Sequence, residues 1–104
     1  MLKEPAAPDD DDRFIVTVVR TGGIAGLRRQ WEVVPPRDEE PHWIELIYRC
    51  PWQDPAPTES GADRYVWRIQ ARPPGARLEQ TLPESALEGA WRQLVEAVRA
   101  AAAS

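Results

Sequence analysis

Few side chains in this sequence are able to take part in catalysis. His42 is the only histidine and Cys50 the only cysteine among 104 residues. To work as base and nucleophile they would have to share a hydrogen bond. Eight positions apart on a short helix, they stand about 12 Å apart along its axis. The pair therefore reads as a surface histidine and a core cysteine at a helix end. One histidine cannot build a multi-histidine metal centre, and one cysteine closes no internal disulfide. Carboxylates cluster at Asp9 to Asp12 and Asp38 to Glu40, but in charge runs, which are solvated faces by default. No catalytic residue, metal or cofactor is expected, and the chain is not expected to be an enzyme.

The stretch RTGGIAGL, residues 20–27, offers a different chemistry. Glycine amides can cradle phosphate, but such loops open a helix and usually carry lysine with serine or threonine. Here LRRQWEVV follows, and it alternates as a strand. Binding by shape is the remaining use. Gly22, Gly23 and Gly26 can take positive φ, so the tip can hold one defined form. Ile24 then has two readings: it folds back over a hairpin with Gly26 as a bulge, or it projects as an apolar plug. A rigid tip loses little conformational entropy on binding, which favours Thr21, Gly22, Gly23, Ile24, Ala25 and Gly26 as candidate contacts. Trp52 is a second candidate, since tryptophan is enriched in binding hot spots, or else a lid over the sheet edge.

The elements that must position this tip follow from periodicity. Residues 1–12 form an acidic, disordered leader with nothing apolar to bury. From Arg13 the β-rich run begins, with Phe14, Val16 and Val18 toward the core. Leu27, Trp31 and Val33 make a half-buried second strand that Pro35 and Pro36 end. Trp43, Ile44, Ile47 and Tyr48 recur at helical spacing within 38–50, with Pro41 in the first turn. Tyr65, Trp67 and Ile69 mark a third strand and RLEQTL a fourth. Leu87, Trp91, Leu94, Val95 and Val98 stripe a final helix, for which Ser85 and Glu88 spell a capping box. The expected fold is α+β, a single domain over 13–104 with order ββαββα. It has a four-stranded, mostly antiparallel sheet and two helices, each free to cover one face.

Bulk composition narrows the partners. A net charge of −4 argues against nucleic acid, which needs a basic footprint. No stretch approaches the roughly 18 apolar residues of a membrane span, and no signal-peptide core is seen. A cytoplasmic protein, monomeric when free, is the expectation.

Two motifs then carry a resemblance. Arg-(Ser/Thr)-Gly-Gly-x-Ala-Gly is met by Arg20 through Gly26, and Gly-(Ala)-Asp-Arg-(Tyr/Phe) by Gly61 through Tyr65. In this order, across about residues 14 to 99, the chain resembles the emfourin family, small inhibitors of protealysin-like metallopeptidases within the thermolysin family. It departs from that pattern in its acidic leader and in a middle segment rich in tryptophan and proline, PHWIELIYRCPWQDPAP. The resemblance implies a thermolysin-like zinc metallopeptidase as partner, with no nucleic acid and no membrane. Such enzymes hold zinc on an HExxH helix and favour a bulky apolar residue just after the cut bond. The 21–26 loop would enter that cleft with Ile24 in the apolar subsite. Arg20, Asp63 and Arg64 would brace the loop, Asp63 pairing with either arginine, or else Asp63 and Arg64 would meet the protease directly. The alternative is a homodimeric or adaptor domain using the hairpin or the open sheet face, where Val19 and Val66 point outward.

Overall fold

A computed structural model describes residues 13–23, 26–54 and 65–103; the leader lies outside them. Four strands, β1 (Ile15–Gly22), β2 (Leu27–Val33), β3 (Tyr65–Arg72) and β4 (Leu78–Pro83), pair in the order β2-β1-β3-β4. Every pairing is antiparallel. Helix α1 (Glu40–Tyr48) joins the two hairpins and α2 (Gly89–Ala103) closes the chain, giving ββαββα as the periodicity predicts.

The alternation of β1 sets the core. Val16 and Val18 are fully enclosed, and their neighbours across the ladder include Trp67, Ile69 and Ala71 of β3. Trp43 and Ile47 of α1 and Trp91, Leu94, Val95 and Val98 of α2 join the same cluster. Both helices therefore cover one face of the sheet, where the sequence left each free to choose. The other face is polar and concave, lined by Arg13, Thr17, Glu32, Gln70, Arg72 and Glu79 among others around a hollow of about 590 Å³. Val19 lies on this face yet is only 8% exposed, so it offers little of the apolar surface expected of it. Val66 beside it is half-buried.

Two local expectations are corrected. Tyr48 is 54% exposed because α1 meets the core through Trp43 and Ile47, one turn apart, and Tyr48 lies about 100° further round. Ser85 does not start the final helix: it sits in a 3-10 turn, Glu84–Ala86, and α2 begins at Gly89. There the Glu84 carboxylate accepts the Trp67 indole N–H at 2.6 Å, fixing the turn against β3. The chain then redirects through Leu87 (φ −84°, ψ 83°) and Gly89 (φ +60°), the first residue of α2. Only glycine adopts that last angle without strain.

Candidate functional site

The ladder between β1 and β2 runs to Gly22 opposite Leu27, so the hairpin tip is residues 23–26. The Gly26 N–H donates to the Gly23 carbonyl at 3.1 Å and closes the turn. Gly22, Gly23 and Gly26 have φ of 125°, 84° and 64°, a run of left-handed backbone that side chains other than glycine resist. The three glycines thus do what their spacing predicts. Thr21 and Gly23 are exposed, as is Leu27 just beyond the tip, at 70%. Ile24 and Ala25, the proposed apolar contact and its neighbour, lie outside the described residues, as do Asp63 and Arg64.

Beneath the tip is a platform of rings. Gly22 pairs with Tyr65 across the β1–β3 ladder, and a methyl placed on Gly23 would stand 3.5 Å from the Tyr65 ring. Arg20, two residues before Gly22, lays its guanidinium 4.5 Å from the Tyr65 centroid and 5.7 Å from those of both Trp31 and Trp67. Trp31 and Trp67 stack with centroids 6.0 Å apart and planes at 16°. Arg99 of α2 closes over Trp31 at 4.9 Å. A cation held over several ring faces is attracted by each of them, by roughly 0.5–2 kcal/mol per contact according to desolvation. Arg20 thus contacts the rings beneath Gly22 and Gly23; Asp63, the carboxylate expected to pair with it, is among the residues not described.

Tyr65, Trp31 and Trp67 were not singled out with Arg20 by spacing. They meet because β1 runs between β2 and β3, which puts Trp31, Arg20, Trp67 and Tyr65 on one face of three adjacent strands. Trp52 is elsewhere. Its indole N–H donates to the Ile47 carbonyl at 2.6 Å and its ring meets Trp91 edge-on at 4.8 Å. Its own carbonyl, with that of Asp54, accepts from Gln80 of β4. That is the geometry of a lid at the β4 edge.

The residues suited to chemistry stay apart. His42 is exposed on α1. The Cys50 thiol is buried and donates to the carbonyls of Ala90 at 3.4 Å and Leu46 at 3.5 Å. Burial pushes its pKa up to about 12, so it is a poor nucleophile at neutral pH. Among the described residues no group of three His, Cys, Asp or Glu side chains is placed to hold a metal ion, and no helix is long and apolar enough to cross a membrane.

A family model for emfourin matches residues 18–99, from the middle of β1 to the last turns of α2. The chain belongs to the emfourin family. No curated protein and no solved structure gives a significant match. The matched span contains the tip, its ring platform, the whole of α1 and most of α2. Membership in emfourin, an inhibitor family, is consistent with a metallopeptidase-inhibitor role and points to a protease as partner.

Proposed function

We propose that this emfourin inhibits a protealysin- or thermolysin-like zinc metallopeptidase by filling its active-site cleft with the β1–β2 tip. The observation that carries the reading is the tip itself. Three left-handed glycines and one turn hydrogen bond pre-shape it, and it is seated on Tyr65 and Arg20. Pre-shaping lowers the entropy lost on binding. The glycines that flank the Ile24-Ala25 pair let backbone approach the cleft's edge strand, where main-chain hydrogen bonds form by strand addition. Ile24 fills the apolar subsite. Zinc belongs to the protease, and the inhibitor contributes occupancy and shape without chemistry of its own. The site of action we assign is the cytoplasm.

The test is turnover by a protealysin-like enzyme titrated with the wild-type chain and with Ile24→Asp. We expect loss of turnover near one-to-one stoichiometry with wild type. Burying an unpaired carboxylate in an apolar subsite should weaken inhibition by about a hundredfold or more, with the variant's far-UV circular dichroism unchanged. Undiminished inhibition by a folded Ile24→Asp moves the contact away from the tip. No inhibition by wild type at micromolar protein, against several thermolysin-like enzymes, overturns the reading.

A further inference from the structure

The two edges of the sheet are treated differently. On β4, Gln80 holds residues 52–54 against the strand through the carbonyls of Trp52 and Asp54, and Pro83 ends the element. On β2, Leu27, Arg28, Arg29 and Gln30 are exposed. The strand LRRQWEV contains no proline and no lysine; its edge devices are charges, two arginines and one glutamate, which repel an unmatched edge and admit a matched one. Among the described residues nothing pairs with its outer side.

The chemistry of that edge is complementary to itself. Laid antiparallel against a copy and centred on Gln30, Leu27 faces Val33, Arg28 faces Glu32, Arg29 faces Trp31 and Gln30 faces Gln30. Three of these are favourable cross-strand pairs, apolar with apolar, opposite charges and amide with amide; the fourth sets Arg29 beside a Trp31 ring that its own chain's Arg29 already faces at 5.2 Å. We propose that β2 is a self-association edge through which two copies of this chain pair antiparallel about Gln30, joining two four-stranded sheets into one.

The register follows from elimination. Only every second residue of a strand turns its N–H and C=O outward, so a shift must be by an even number. One such shift sets Arg29 against Arg29; the other sets Trp31 against Trp31 and loses both charge pairs. In the proposed register Arg28, Gln30 and Glu32 stay on the polar face of both copies, and Arg29 and Trp31 on the helix side. Glu32 has no ion pair among the described residues, and Arg28 reaches only the Gln30 Oε1, at 3.5 Å. An open cleft of about 420 Å³ lies between β2 and α2, so side chains on the helix side of a second copy have space beside β2. One strand edge is small beside the roughly 1,200–2,000 Å² of a stable interface, so the dissociation constant belongs on the order of 100 micromolar. The chain is then monomeric when dilute, as the sequence suggests, and dimeric when concentrated.

Sedimentation velocity of the full chain, up to about 500 micromolar and without any protease, tests this independently of inhibition. The proteins are wild type, Arg28→Glu, Glu32→Arg and the double reversal. Arg28 and Glu32 face only Thr21 and Thr17 across their own ladder, so the reversals leave the fold intact, which circular dichroism checks. Each single reversal places like charges at both symmetry-related contacts and should weaken association about tenfold, while the double variant restores it. A wild-type mass that stays monomeric throughout overturns the proposal. So does a dimer indifferent to the single reversals, or a double variant that fails to recover.

Discussion

At the residue scale, Cys50 shows how surroundings decide what a reactive group does. Its thiol links the end of α1 to the start of α2 through the Leu46 and Ala90 carbonyls, and burial raises its pKa from 9.0 to about 12. In the unfolded chain the thiol loses its proton first. The contribution to stability is therefore complete below pH 9 and is lost as pH rises from 9 toward 12. Urea unfolding at pH 8 and pH 10 should show wild type losing more stability than Cys50→Ala over the same interval, the difference isolating the thiol from other groups that titrate there. Alkylation of the folded protein should be slow and should become fast in urea. A second buried polar contact behaves differently. Replacing Glu84 by leucine leaves the Trp67 N–H without its 2.6 Å acceptor and should cost about 1–3 kcal/mol, read as a lower urea midpoint. Trp67→Phe in that background should add less than Trp67→Phe alone.

At the scale of elements, the tip and its platform behave as one unit. Gly26→Ala meets no atom within 4 Å, so its cost is backbone strain alone, about 1 kcal/mol. Gly23→Ala adds only an ordinary contact with Tyr65 at 3.5 Å, so the two should lose similar stability by chemical denaturation. Tyr65→Ala is the sharper variant. It takes the ring from under Arg20 and Gly23, and should weaken protease inhibition about tenfold even where thermal unfolding shows the protein still folded at the assay temperature. Much of this unit was legible in the sequence. Glycine spacing gave the turn, and alternation in FIVTVV and YVWRIQ gave the faces of β1 and β3. The platform was not, because Trp31, Arg20, Trp67 and Tyr65 come together only once β1 is known to lie between β2 and β3. Helix boundaries were misread for a related reason. A capping box at Ser85 marks a helix start by local preference, whereas α2 begins at Gly89, after a turn held by the long-range bond from Trp67 to Glu84. Trp52 was ambiguous because a lid and a hot spot both call for an aromatic ring, and only its Ile47 and Trp91 partners separate the two.

On the scale of the whole molecule, the proposed protease contact and the Trp52 contacts lie toward opposite edges of the sheet. The tip projects from β1 and β2. Trp52 is fastened to Gln80 of β4, which stands opposite Ile69, itself opposite Val18; the whole width of β3 and β4 separates it from the hairpin. A small domain holds only about 5–15 kcal/mol of net stability, so losing the Trp91 edge contact and the bond to the Ile47 carbonyl is a large fraction of it. Trp52→Ala should cost roughly 2–4 kcal/mol and lower the melting temperature by several degrees. The folded fraction should still inhibit the protease as wild type does. Ile24→Asp should show the reverse, an unchanged melting temperature with inhibition lost. Measured on both variants, melting temperature and inhibition constant form a crossed pair. Inhibition that falls in Trp52→Ala beyond what its unfolded fraction explains would extend the protease contact to the β4 edge, and the separation argued here would not hold.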